Sequence, residues 1–187
     1  MGSPRRFLRF RETVLKHFSF LESRGLRASE TSETYVRFAG EVADIEVFHG
    51  RQSFELGANV IRGGLKYSLT EFQMLRSSTN EDANFLVFAA TDAHGVETGV
   101  GLLASALKDC IDAILLDSPD MYVELQSRRE ANRKKLAMDT LVSQTRPKAD
   151  EAFRRGDYSR AAELYEVIRE QLSPSEMRRL EIAKSRT

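Results

Sequence analysis

Between Thr34 and Val60 the chain alternates apolar and polar residues three times over, and the gaps between the stretches are too short to hold a helix. Period-two alternation sends successive side chains to opposite faces of an extended strand, so one face can meet a core and the other water. Thr34 to Phe38 is rich in β-branched and aromatic residues and ends near Gly40. Ala43, Ile45 and Val47 then alternate with Asp44 and Glu46, and His49-Gly50-Arg51-Gln52 reads as a tight turn. Phe54, Leu56, Ala58 and Val60 alternate with Ser53, Glu55 and Asn59 before Gly63-Gly64 breaks the strand. Parallel strands need long crossovers, so these short connections predict an antiparallel meander.

The flanking sequence is helical in pattern. From Arg5 to Leu26 the residues Phe7, Phe10, Val14, Leu15, Phe18 and Leu21 recur at helical spacing, and Gly25 suits a left-handed C-terminal cap. Ser68-Leu69-Thr70-Glu71 has the form of a capping box opening a short helix through Leu75. Ser77 to Asp82 reads as a loop. Phe85-Leu86-Val87-Phe88 reads as a buried strand or a piece of a buried helix. Thr91 or Asp92 caps a helix whose apolar face carries Val96, Val100, Leu103, Leu107, Cys110 or Ile111, and Ile114. Gly95 and Gly99 each cost that helix about 1 kcal/mol relative to alanine, which points to a close approach by the sheet or the first helix.

Ser118-Pro119 restarts a helix with proline at its favoured first position, running to about Gln144. Its middle, Gln126 to Lys135, is almost wholly polar and reads as a solvated connector. Pro147 predicts a break or kink. Helices over 148–155, 159–172 and 174–184 follow, the last capped by Ser173.

Within this tail, Ala149, Ala152 and Phe153 precede Gly156-Asp157-Tyr158, then come Ala161, Tyr165 and Ile168, with Pro174 beyond. The stretch resembles one tetratricopeptide unit, although its proline comes one place late and its first helix lacks the usual large starting residue. The resemblance implies a helical hairpin that either docks on the rest of the protein as plain structure or presents a partner-binding surface. Arg154, Arg155 and Tyr158 are the candidate partner-binding residues. A lone unit cannot bury its own face, since such arrays need about three repeats.

Composition narrows the function. The 28 basic and 28 acidic residues cancel, so no global field draws the chain to nucleic acid or an anionic membrane. The run Arg128, Arg129, Arg133, Lys134, Lys135 lacks interleaved aromatics and reads more simply as a solvated helix face. One cysteine, Cys110, fits a reducing compartment and a structural thiol. No apolar run is long enough to span a bilayer, no secretory signal is expected, and the expected location is cytoplasmic.

The chemical candidates are few. Asp44, Glu46 and His49 form one acidic and histidine group, and Asp92 with His94 a second; neither has metal-ligand spacing, and His17 stands apart. The glycines of Gly95-Val96-Glu97-Thr98-Gly99-Val100-Gly101 run in reverse order for a dinucleotide loop, and Gly63-Gly64-Leu65-Lys66 lacks the rest of a phosphate loop. No catalytic, metal or cofactor residues are assigned, and no cofactor is expected.

The order of Phe20-Leu21-Glu22 before Gly25, a small meander, Tyr67-Ser68-Leu69, a glycine-punctuated helix and Ala161-Ala162-Glu163-Leu164-Tyr165 resembles a diffuse class of small bacterial cytosolic proteins. Some of these look like immunity proteins that neutralise a toxin. The expectation is therefore an α+β fold: a small antiparallel sheet of three or four strands packed by helices over 1–117, then a helical extension over 118–187. The expected function is a non-enzymatic protein-interaction module, of the immunity type, acting on a protein partner such as a toxin by occlusion. The alternatives are a small hydrolase-like enzyme with an acidic and histidine site at the sheet edge, and an extension that builds a homo-oligomer.

Overall fold

A computed structural model describes residues 6–76, 88–116 and 119–187 of the chain, leaving aside the side chains of Arg6 and Arg76. The loop expected at Ser77 to Asp82 and the run Phe85-Leu86-Val87 lie outside these residues, as does Ser118. The chain divides into two compact units, Met1–Leu125 and Gln126–Thr187.

The first unit is built on the meander. Strands β1 (Arg27–Thr31), β2 (Tyr35–Ala39), β3 (Asp44–His49), β4 (Glu55–Arg62) and β5 (Leu65–Ser68) lie side by side in chain order, every pair antiparallel. A two-residue strand, β6 (Phe88–Ala89), pairs with the start of β4. The α+β class is as the sequence predicts, with six strands among the described residues instead of three or four. The turn after His49 is wider than expected: Gly50 N donates to Glu55 O, and Phe54 takes a left-handed φ of 55° before β4 begins.

Val36 and Phe38, Ile45, Val47 and His49, and Leu56, Ala58 and Val60 are buried on one face of the sheet. Against this core pack α1 (Phe10–His17), α2 (Leu69–Arg76), α3 (Ala93–Lys108) and α4 (Ile111–Leu115). Phe10, Phe18 and Leu21 are almost wholly buried, and complete burial of such a side chain is worth about 1.5–3 kcal/mol. Two expected helices are shorter than their apolar spacing suggests. Arg9 adopts φ 53°, which no helix accommodates, so Arg6–Leu8 is a separate 3-10 turn; α1 itself ends at His17, and Ser19–Arg24 forms another 3-10 turn after Phe18. Leu8 is buried in place of Phe7, which is 63% exposed, and Leu15 also faces out at 37%. The glycine-containing helix likewise ends at Lys108, and Ile111 and Ile114 belong to α4.

The local signals act as expected elsewhere. Gly25 caps the Ser19–Arg24 turn at φ 82°. Ser68 and Glu71 form the reciprocal capping bonds, and the Asp92 carboxylate accepts from Gly95 N at 2.7 Å. Gly99 is where α3 meets β4: a Cβ there would lie 2.6 Å from Leu56 Cδ1.

Helix α5 (Pro119–Arg154) begins in the first unit, where Tyr122 packs edge-on against Tyr67 and Phe72 beneath the Arg62 guanidinium. Residues 126–137 are exposed except for half-buried Arg129, as a polar connector should be. The helix does not end at Pro147. That residue deprives the Ser143 carbonyl of its donor, but Val142, Thr145, Ala149 and Ala152 are buried on both sides of it, and this packing outweighs the lost bond.

In the second unit the end of α5 is joined by α6 (Tyr158–Val167) and α7 (Pro174–Ser185) around a core of Ala149, Ala152, Ala161, Tyr165, Leu180 and Ala183. The three alanines of α5 and α6 bring those helices close, and fully buried Tyr165 fills the centre. Its hydroxyl donates to Asp150 at 2.5 Å, and Arg179 of α7 donates to the same carboxylate oxygen at 2.6 Å. Ser173 and Glu176 form a capping box at the start of α7. Arg146 Nε lies 2.7 Å from Glu176 in an ion pair not aligned as a hydrogen bond, while its Nη2 donates to Gln171 O. Helix α7 resolves the burial problem of a single hairpin. Leu180 and Ala183 turn inward while Arg178 and Glu181 face water, so the third helix covers the apolar face without exposing another. Among the described residues no helix is long and apolar enough to cross a membrane.

Candidate partner-binding groove

The acidic and histidine candidates of the sheet are not brought together. β3 is the middle strand of the five-strand meander, so Asp44, Glu46 and His49 are not at a sheet edge. The pleat then separates them. His49 enters the core, where it is 2% exposed, stacks near Phe10, and places Nε2 2.8 Å from Ala90 O. Asp44 and Glu46 point to the opposite face, the former bound by Arg37 and by Gly40 N.

Glu46 is 4% exposed and fully engaged. Tyr35 Oη and Asn59 Nδ2 donate to it at 3.1 and 2.7 Å, and Lys66 Nζ lies 2.5 Å away. Burial alone would raise its pKa, but hydrogen bonds from Lys66 and Asn59 outweigh that and leave it below the ordinary carboxylate value. A carboxylate held ionised in this way is a structural anchor and a poor general acid. Asp92 caps α3 and His94 lies exposed in its first turn.

His17 has a role its isolated place in the sequence does not announce. Its Nε2 and Lys16 Nζ each lie 2.8 Å from Glu97 Oε1, tying α1 to α3. Hydrogen bonds from Lys16 and then His17 hold the Glu97 pKa down to about 2. Cys110 is buried, with Sγ toward the Ala106 and Leu107 carbonyls. Among the described residues no three of His, Cys, Asp and Glu come together to hold a metal ion. The basic run of α5 forms no stripe. At about 100° per residue, Arg128, Arg129, Arg133, Lys134 and Lys135 spread around the helix axis.

One concave feature of the second unit is a groove of about 420 Å³ between α5 and α6. Its apolar part is Pro147, Ala152 and half-buried Leu164; its polar part is Lys148, Glu151, Arg155, Asp157 and Arg160. Gly156, at φ 77°, turns the chain between the helices, and Asp157 caps α6 by accepting from Arg160 N at 3.1 Å. Of the residues singled out in the sequence, Arg155 lines the groove and donates to Glu151 at 2.6 Å. Arg154 shares that carboxylate at 2.5 Å. Tyr158 is engaged elsewhere, edge-on to Phe153 and bound through its hydroxyl and ring by Arg186. Lys148, Arg160 and Leu164 were not legible as site residues, because only folding brings them to one groove.

No family model, curated protein or solved structure matches this chain. Its function therefore rests on its own geometry.

Proposed function

We propose that this protein is a non-enzymatic protein-interaction module of a bacterial cytosol, with the α5–α6 groove as its docking surface. In this reading the hairpin is of the tetratricopeptide kind, and the protein acts in the manner of an immunity-type inhibitor, by covering a partner instead of turning over a substrate. The observation that carries it is the groove itself: an apolar floor rimmed by long charged side chains on two helices. The Tyr165, Asp150 and Arg179 bonds link all three helices and hold α5 and α6 in fixed relation, which lowers the entropy lost on binding.

The test is crosslinked capture from native bacterial lysate with the full chain and two full-chain variants. Leu164→Glu charges the groove floor, and Ile182→Glu charges an exposed position on α7 as a control. A stoichiometric partner retained by wild type and Ile182→Glu but lost by Leu164→Glu, with circular dichroism unchanged, is the expected result. A partner held equally by all three proteins overturns the assignment of the groove.

A further inference from the structure

Resting on that reading, we infer that the groove takes an acidic segment of the partner protein carrying one apolar side chain. The argument is one of charge and what already neutralises it. Three cations, Lys148, Arg155 and Arg160, and two carboxylates, Glu151 and Asp157, line the groove, an excess of one positive charge. Both acids keep their charge but are held within the protein, and Glu151 keeps Arg154 when Arg155 turns to a ligand. Glu151 is shared by Arg154 and Arg155, and Asp157 is engaged by the backbone N–H of Arg160 at the α6 cap. Lys148 is exposed and has no ion pair among the described residues.

The arginines are exchangeable. Arg155 and Arg160 are 75% and 58% exposed at their side chains, and their pairs with Glu151 and Glu163 are contacts within single helices. Such exposed pairs contribute little, so a partner carboxylate can replace them at small cost. The guanidinium fork also matches a carboxylate with two parallel hydrogen bonds, a geometry an ammonium cannot offer. Pro147, Ala152 and Leu164 supply the apolar contact between these cations, and 420 Å³ falls within the roughly 300–1,000 Å³ typical of binding clefts. A nucleic-acid strand fits less well: bases need stacking faces, and the residues that line the groove include no aromatic ring.

The probe is a fluorescent peptide with one leucine flanked on each side by two glutamates, titrated by anisotropy against the full chain. The comparison peptide has lysines in place of the glutamates. The variant is the double reversal Lys148→Glu, Arg160→Glu, checked for unchanged circular dichroism. Saturable binding of the acidic peptide is expected, weakened about tenfold or more by the double reversal, and not shared by the basic peptide. Equal binding of the two peptides, acidic binding untouched by the reversal, or tighter binding of a single-stranded RNA of the same charge each overturns the inference. The two readings separate in the capture experiment. A partner lost with Leu164→Glu but kept with the double reversal leaves the docking site standing and removes the acidic occupant.

Discussion

Replacing Gly99 by alanine tests the close approach of α3 to β4. In an exposed helix interior this change stabilises by about 1 kcal/mol. Here the new Cβ would lie 2.6 Å from Leu56 Cδ1, whereas carbon atoms pack at about 3.5–4.0 Å, so something must yield by about 1 Å. Leu56 is fully buried, and Phe88 Cβ closes the other side at 3.5 Å, so the strain falls on the core. Overpacking of this kind costs about 1–3 kcal/mol, which leaves Gly99→Ala destabilised by about 0–2 kcal/mol. Gly101 provides the internal standard. A Cβ there stands 3.4 Å from His17 Cε1, close to ordinary contact, so Gly101→Ala keeps most of the propensity gain. The two variants should differ by about 1–3 kcal/mol, or about 1 M in urea midpoint at the usual slope. Urea unfolding followed by near-ultraviolet dichroism reads this. Leu56→Val removes the atom that is struck, so the Gly99→Ala, Leu56→Val pair should lose less stability than the two single variants together. Gly99→Ala at least as stable as Gly101→Ala, or strictly additive costs with Leu56→Val, would refute the close-approach argument.

Two further outcomes are expected. The folded Glu97 carboxyl titrates at about 2 against an ordinary 4.5, so its contribution is full above about pH 4.5 and fades as the pH falls toward 2. Glu97→Gln should flatten that part of a melting-temperature profile, and an unchanged acid limb would rule out the clamp. Pro147→Ala should restore the bond to the Ser143 carbonyl and stabilise the second unit by about 1–3 kcal/mol, read as a later thermal transition. A lower transition would mean that the proline ring itself packs productively at the groove.

The parts of the fold legible in the sequence are those where burial imposes a period. β2, β3 and β4 alternate because one face of each meets the core, and α3 shows its apolar face for the same reason. β1 escaped because all its residues are exposed, and β5 because Tyr67 is its single buried residue. The breaks at Arg9 and after Lys108 were hidden because apolar spacing continues across them: Leu8, Phe10, Val14 and Phe18 are buried on either side of a residue whose backbone turns the wrong way for a helix. The groove is harder to read still. Arg155 lies beside the glycine turn that marks the hairpin, but Lys148 and Arg160 lie on different helices, and no local pattern says that they converge. Glu46 shows a related limit. Alternation places it on the outward face, yet Tyr35 and Asn59 from the two neighbouring strands, and Lys66 from β5 beyond β4, close over it.

The character of β1 bears on what the sheet does when many copies are crowded together. A terminal strand offers a row of backbone donors and acceptors to any other extended chain, which is how folded sheets seed runaway polymers. Here that strand is Arg-Ala-Ser-Glu-Thr, with every side chain in water and its register with β2 slipping between Ala28 and Glu30. An incoming strand would meet an interrupted ladder flanked by charge, with no apolar side chain larger than alanine to hold it. The same plainness that hid β1 in the sequence makes it a guard on the sheet's open end.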